Sequence, residues 1–277
     1  MKVFAVAMDL LREAASRKWF LALAIGITAV LGILAFALRL DVVDGALAAT
    51  KFFGQTIRTD IRSADVALRP VFQATAYMIF YGGLVFGIVA CADFGPSLLA
   101  PGRIEHLLAL PLRRSELLAG TFLGVLALSV MGALYGAGGL ALILGLKTGV
   151  YTVRPVLAAL LASVTFAAIY GAMLAVAVVV RSAAISAATG VFLLVAGTIA
   201  GNRDKLDSFF EEGIARTIFR AVTLLLPRVS TLANASSDLA GSLPIDGLAL
   251  ASQVAGLSVF GFAALALGVH LFEQKDF

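Results

Sequence analysis

The stretch PVLAALLASVTFAAIYGAMLAVAVVVRSAAISAATGVFLLVAGTIAGN, residues 155–202, decides the fold class, because Arg181 is its only charged side chain. One continuous helix of this length would measure about 70 Å, more than twice the thickness of the hydrocarbon core of a bilayer. We therefore predict two membrane-spanning helices, 155–180 and 182–202, joined by a tight turn at Arg181.

The composition of the whole chain agrees with this reading. Apolar residues make up 61% of the chain and charged residues 14%, whereas soluble domains have about 45–50% and about 25%. Four further uncharged stretches are long enough to cross a membrane. The predicted fold is an all-α integral membrane protein, a single domain over 1–277 with six spans, of which the remaining four are 19–38, 70–92, 117–146 and 247–269.

The charge pattern and the rare residues exclude several classes of function. The net charge is +4, but no basic stripe with interleaved aromatic residues indicates a nucleic-acid partner. A single cysteine, Cys91, excludes an intramolecular disulfide. With two histidines, no Cys/His cluster, no paired carboxylates in the spans and no phosphate-binding loop, we expect no catalytic residue, metal site or cofactor in this chain.

Two segments outside the spans have the periodicity of surface helices. Residues 1–18 place apolar side chains on one face at helical spacing, which predicts an amphipathic helix in the membrane interface. An ordinary polar N-terminal tail is the alternative. A second amphipathic helix is predicted within the outer segment 203–246, ending at Pro227.

The loop between the second and third spans, 101–111, combines charged residues with a short apolar pattern. Arg103 to Ala109 contain good helix formers, and Pro111 prevents a smooth continuation. Ser115 is a candidate N-cap for the third span, with Glu116 in its first turn. We predict a short, rigid helix fixed to two spans, which suits the transmission of motion into the membrane.

The orientation follows from the number of spans and from the basic residues. Six spans place both termini on one side. The short loops on that side contain Arg103, Arg113, Arg114 and Arg181, and the positive-inside rule therefore favours cytoplasmic termini. We expect a location in the plasma membrane or a bacterial inner membrane.

The sequence GRIEHLLALPLRRSELLAG, 102–120, resembles the loop between the second and third spans of ABC-2 type transporter permeases. The amphipathic N-terminus, the six spans and the long outer segment before the last span are also similar. The resemblance implies a coupling helix that docks on a separate cytoplasmic ATPase, in a complex of two permease halves and two ATPases that bind ATP and Mg²⁺. The implied coupling residues are Gly102, Arg103, Ile104, Glu105, His106, Leu107, Leu108, Pro111, Arg113 and Arg114.

The interior of the spans indicates the class of cargo. Carriers of ions and protons place ionisable residues in their spans, and these spans have none, which favours a neutral, amphiphilic or lipid-like substrate. We expect the direction of its movement to be export. Gln73, Tyr77 and Tyr81 share one helical face and are candidates for lining a path, although hydrogen bonding between helices or an interfacial position of the aromatic rings is the favoured explanation. Two other functions stay open: relay of ATPase motion to an extracytoplasmic partner without transport, and a structural scaffold.

Overall fold

The chain begins with two consecutive helices. The computed structural model describes residues 2–43, 46–52, 55–58, 62–109, 112–149, 151–209 and 213–275. Helix α1 spans Lys2–Ser16 and α2 spans Lys18–Ala37. Helix α1 is amphipathic, as its periodicity predicts, and it buries Ala7, Leu10 and Ala14. These side chains pack against another helix of the protein, so part of the apolar stripe is covered by protein rather than by lipid.

A small antiparallel sheet follows α2. Its strands are β1 (Leu38–Val43), β2 (Ala46–Phe52), β3 (Gln55–Arg58) and β4 (Arg62–Ser63). Strand β2 pairs with β1 along its length, and with β4 and β3 on its other side. The mixed charge of this segment gave no prediction of strands. The sheet is an addition to the predicted helical architecture.

The second apolar stretch is an interrupted helix. Helix α3 (Ala64–Tyr77) continues through a π-helical turn (Met78–Gly82) into α4 (Gly83–Cys91). Two short helices follow, α5 (Phe94–Leu98) and α6 (Arg103–Ala109). Phe94, Leu98 and Leu99 are buried, which extends the packed segment beyond the predicted end of this span at residue 92.

Four long helices complete the membrane-spanning part. They are α7 (Arg114–Thr148), α8 (Arg154–Val180), α9 (Ala183–Gly201) and α13 (Gly247–Glu273). Helix α8 ends at Val180. The next residue, Arg181, has a left-handed φ of 55° that reverses the chain, and α9 begins after Ser182. Helix α7 begins one residue before Ser115, so the predicted N-cap is wrong: Arg113 is the N-cap, and its backbone N–H donates to Glu116 Oε2 at 2.8 Å.

Within the described residues, five helical segments are long and apolar enough to cross a membrane. They are Leu68–Leu98, Arg114–Thr148, Arg154–Val180, Ala183–Gly201 and Gly247–Glu273. The apolar part of α2 described here, Leu23–Phe36, is shorter. The chain is therefore a helical membrane-embedded protein, as predicted at that level.

Helix α8 lies at the centre of the bundle. Its contact with α13 is close because both helices have glycine at the crossing. A Cβ atom added to Gly171 would lie 2.7 Å from the carbonyl oxygen of Gly261, and one added to Gly261 would lie 2.7 Å from Cα of Ala168. Tyr170, beside this crossing, is almost fully buried and lies against Phe122 and Phe166.

The segment between α9 and α13 folds onto the bundle. It contains α10 (Arg203–Leu206), a 3₁₀ turn (Asp207–Phe209), α11 (Ile214–Leu225) and α12 (Val229–Ala240). Helix α12 buries one face on α8, where Ser236 Oγ donates to the carbonyl oxygen of Ala158 at 3.0 Å. Asn202 at the end of α9 donates to Ser230 Oγ at 3.0 Å.

Two opposite ends of the bundle are distinct. We name the first of them the terminal end, and it contains α1, α6, the Arg181 turn and Lys275. The distal end carries the sheet and α10 to α12.

Candidate functional site

Helix α6 lies at the terminal end, directly after the second apolar segment. Gly102 precedes it with a φ of +82°, a left-handed conformation that glycine adopts without strain. Ile104 is buried, Leu107 packs half-buried against the core and Glu105 is exposed. Helix α6 thus has an inward apolar face and an outward polar face. Pro111 lies outside the described residues, and His106 and Leu108 are described only as part of the helical backbone.

An ion pair joins α6 to α1. Glu13 Oε2 accepts a hydrogen bond from Arg103 Nη2 at 2.7 Å, and Glu13 Oε1 accepts one from Arg17 Nη2 at 2.7 Å. Partial burial raises the pKa of the Glu13 carboxyl, but the hydrogen bonds from Arg103 and Arg17 outweigh it, so the pKa lies below its ordinary value. Glu13 is therefore held as a carboxylate between two guanidinium groups.

Arg17 extends this connection to the end of the second apolar segment. Its Nη1 donates to Asp93 Oδ2 at 3.1 Å, and its guanidinium carbon lies 4.4 Å from the centroid of the Phe94 ring. A cation over an aromatic face adds to the attraction of the ion pair. We name Glu13, Arg17, Asp93 and Arg103 the terminal clasp, because together they connect α1, the end of α4 and α6.

A second set of contacts joins the end of α13 to the start of α7 and to the end of α8. Arg114 Nη1 donates to the carbonyl oxygens of Phe272 at 3.2 Å and Glu273 at 3.1 Å, and also to that of Lys275. Lys275 Nζ donates to the carbonyl oxygens of Val178 at 2.6 Å and of Val179. A cation at the C-terminal end of α8 complements the helix dipole. Burial and the nearby Arg181 lower the pKa of Lys275.

The charged residues of the predicted coupling loop therefore divide into two groups. Arg103 and Arg114 contact other parts of this chain, whereas the side chains of Glu105 and Arg113 are exposed at the terminal end. The exposed pair therefore presents one acidic and one basic group at the surface of the terminal end.

Sequence reasoning did not identify Glu13, Arg17, Asp93 and Lys275 as members of this region. The local signal was limited to the i, i+4 spacing of Glu13 and Arg17. Asp93 and Lys275 are charged residues near the ends of apolar stretches, where such residues are common. The pairing of Glu13 with Arg103 spans 90 positions. No local pattern specifies a contact over that distance.

Gln73, Tyr77 and Tyr81 lie away from α6, and they contact α12, the residue that follows it, or α9. Tyr81 forms a side-chain hydrogen bond with Thr198 in α9. Tyr77 Oη donates to Asn234 Oδ1 in α12 at 2.6 Å, and the Tyr77 and Tyr81 rings stack with centroids 6.5 Å apart. Gln73 lies against Gly241, where a Cβ atom would come within 2.6 Å of Gln73 Cγ. These contacts are those of helix packing.

Helix α7 has two pairs of glycines at four-residue spacing, Gly120 with Gly124 and Gly132 with Gly136, and the two pairs have different surroundings. A Cβ on Gly120 would lie 2.5 Å from Val6 Cβ, and one on Gly124 would lie 3.1 Å from the carbonyl oxygen of Ala7. Gly132 and Gly136 face open space in the part of the chain that the structure describes. The first pair thus allows α1 to cross α7 closely.

The fold and this region define the chain as a multispanning helical membrane protein with a clamped helix, α6, at its terminal end. No family model and no curated protein matches the chain.

Proposed function

We propose that the chain is the membrane-spanning permease subunit of an ATP-driven transporter, and that a separate ATPase subunit docks on α6. The observation that carries the proposal is the ion pair between Glu13 and Arg103, which fixes α6 to α1 while Glu105 stays exposed. A short helix that is held on one side and open on the other can receive force from a partner and pass it on. The similarity of residues 102–120 to ABC-2 type permeases also supports the proposal.

Two sets of side-chain contacts can transmit a movement of α6 to the bundle. The first runs through Arg103 and Glu13 to α1, which crosses α7 at Gly120. The second runs through Arg17 to Asp93 and Phe94 at the end of the second apolar segment. Closure of the ATPase pair on ATP binding would carry α6 with it and shift α1, α4 and α7 together. The spans would then rearrange between inward-open and outward-open states.

The complex contains two permease halves and two ATPase subunits. ATP and Mg²⁺ are bound by the ATPases, which supply the chemistry of hydrolysis. The terminal end then faces the cytoplasm of a plasma or bacterial inner membrane, with α2 as the first of six spans. Both chain termini are cytoplasmic in this arrangement.

The transported substrate is neutral, amphiphilic or lipid-like, and it moves outward. In the five long apolar segments, charged side chains occur near the ends, such as Arg69, Arg114 and Glu273. An apolar interior of this kind does not compensate a small ion for lost hydration. Gln73, Tyr77 and Tyr81 remain candidates for a path only if α12 moves away during transport, since their present contacts are with α12 and its neighbours.

A second function is supported by the distal end. Helix α12 is attached to α8 through Ser236, to α9 through Ser230 and to the second apolar segment through Tyr77. Such an attachment could relay motion to an extracytoplasmic partner without moving a substrate. A stable complex with an outer-face protein, together with no substrate-dependent ATP hydrolysis, would favour this function.

Copurification in mild detergent tests the proposal. The tagged chain is compared with Glu105→Lys, which reverses an exposed charge on α6, and with Asp204→Lys, which reverses an exposed charge at the distal end. An ATPase with a phosphate-binding loop should accompany the wild type and Asp204→Lys, and should be reduced with Glu105→Lys. Its absence from all three would contradict the proposal and favour a scaffold.

A further inference from the structure

Helix α11 exposes its apolar face. Ile214, Ile218 and Val222 recur every four residues and therefore share one face. That face points away from the protein: Ile214 is 81% exposed and Ile218 57%. The opposite face carries Arg216, Arg220 and Thr223, and Thr223 is buried. A surface helix of a soluble protein buries its apolar face. Helix α11 instead exposes its apolar face, while its polar face is only partly covered, since the Arg220 side chain is 55% exposed.

The polar face is held by one carboxylate. Asp207 Oδ2 accepts hydrogen bonds from Arg216 Nε at 3.0 Å and Nη2 at 2.6 Å. Asp207 Oδ1 accepts one from Arg220 Nε at 2.9 Å. These hydrogen bonds keep the pKa of Asp207 well below its ordinary range. Because Asp207 directly follows α10 at the end of α9, the two arginines fix the rotation of α11 about its own axis.

The exposed apolar face of α11 continues the exposed apolar surface of α9. Helix α9 exposes Phe192, Val195 and Ile199 along its length, and α11 packs against α9 just beyond. Since α9 is one of the segments long and apolar enough to cross a membrane, we expect acyl chains to contact its exposed side chains. Side chains of α11 at the distal end of α9 therefore lie next to the boundary between acyl chains and headgroups.

We propose that α11 lies in the distal interface of the bilayer, with Ile214, Ile218 and Val222 among the acyl chains, and that Asp207 positions it there through Arg216 and Arg220. An amphipathic helix in a membrane interface buries its apolar face in this way and keeps its polar face near the headgroups. In water the same face would leave a contiguous apolar patch uncovered. This interaction surface goes beyond the proposed permease function and does not depend on an ATPase.

Site-directed fluorescence quenching tests the proposal. The native Cys91 is buried, so the labelled wild type gives the background. Ile218→Cys and Val222→Cys are labelled with an environment-sensitive fluorophore and reconstituted in phosphatidylcholine vesicles. Phe192→Cys on α9 is the control for lipid contact, and Asp204→Cys on α10 is the control for water contact. Each sample is measured with a doxyl-labelled phospholipid and, separately, with iodide.

The label at 218 or 222 should lose most of its emission to the doxyl lipid, as at 192, and little to iodide. Quenching by iodide as strong as at 204 would overturn the proposal, because the face would then be in water. Protection from both quenchers would also overturn it, since a second copy of the chain or another protein would then cover the face.

A second variant tests the role of Asp207. Asp207→Asn removes the carboxylate and retains the size of the side chain, and Asp204→Asn is the matched control. With the label at 218, Asp207→Asn should reduce quenching by the doxyl lipid and increase quenching by iodide, whereas Asp204→Asn should change neither. Unchanged quenching in Asp207→Asn would remove Asp207 from the proposal.

Discussion

Glu13 in α1 and Arg103 in α6 are joined by a 2.7 Å hydrogen bond although 90 positions separate them in the sequence. The pair lies at the terminal end, where Arg17 adds a connection from Glu13 to Asp93. The terminal clasp therefore makes three separate parts of the chain one unit at the surface where the ATPase is proposed to dock.

The first prediction concerns the energy of this pair. Glu13→Gln and Arg103→Gln should each destabilise the protein, and the double variant should be less destabilised than the sum, by a coupling energy of about 0.5–1 kcal/mol for a partly exposed ion pair. SDS titration of the protein in mixed micelles measures the free energy of unfolding. Asp9→Asn, on an exposed position of the same helix, should combine additively with Arg103→Gln. Additive effects of the Glu13 and Arg103 variants would show that the pair contributes no coupling.

The second prediction concerns pH. The pKa of Glu13 is lowered in the folded protein from its ordinary value of 4.5. The stability that Glu13 contributes is therefore fully present above 4.5 and is lost as the pH falls through the lower, folded value. The difference in thermal stability between wild type and Glu13→Gln should shrink as the pH is lowered from neutrality toward this window. A difference that grows on acidification would contradict the assigned direction of the shift.

The third prediction compares two glycines of α7. Gly120→Val should destabilise the protein by about 1–3 kcal/mol, the usual cost of overpacking, because its Cβ would lie 2.5 Å from Val6 Cβ and 2.8 Å from the carbonyl oxygen of Val3. Gly132→Val should be close to neutral, because, in the described part of the chain, no atom beyond the neighbouring backbone of α7 lies within 4 Å of the added Cβ. Thermal unfolding in detergent measures both. Equal shifts would mean that α1 does not cross α7 at Gly120.

The fourth prediction compares two neighbouring arginines. Arg114→Gln removes the guanidinium that donates to the carbonyl oxygens of Phe272 and Glu273, so hydrogen exchange at the end of α13 should become faster. Arg113→Gln alters an exposed side chain and should leave that exchange unchanged. Mass spectrometry of peptides from the end of α13 provides the measurement. If exchange there is the same in both variants, Arg114 does not hold the end of α13.

The sequence predicted the features that depend on local apolar pattern. The uncharged stretch around Arg181 specified two helices and a turn. A single helix of this length would extend far beyond the hydrocarbon core and would leave its apolar side chains in water. The periodicity of residues 1–18 likewise indicated an amphipathic helix. In both cases a single stretch of sequence reports which side chains are removed from water. It does not report that α7, rather than lipid, covers part of the apolar face of α1.

The features that depend on distant contacts were not predictable in this way. The sheet formed by β1 to β4 lies in a segment of mixed charge, and its pairing is set by contacts between strands. The i, i+4 spacing of Glu13 and Arg17 is a local signal for that ion pair, but nothing local indicates the contact of Glu13 with Arg103. The N-cap of α7 was assigned to Ser115 from residue type, whereas the geometry of the loop places it at Arg113.

The measurement that tests the central claim most directly is site-specific photo-crosslinking at Glu105 in native membranes. A photoreactive amino acid replaces Glu105 in one sample and Asp204, at the distal end, in another, and the adducts are identified by mass spectrometry. The account predicts an adduct at position 105 with a protein that carries a phosphate-binding loop, and no such adduct at position 204. Absence of an ATPase adduct at 105, with the chain inserted and the photoreactive group activated, would contradict a docking role for α6.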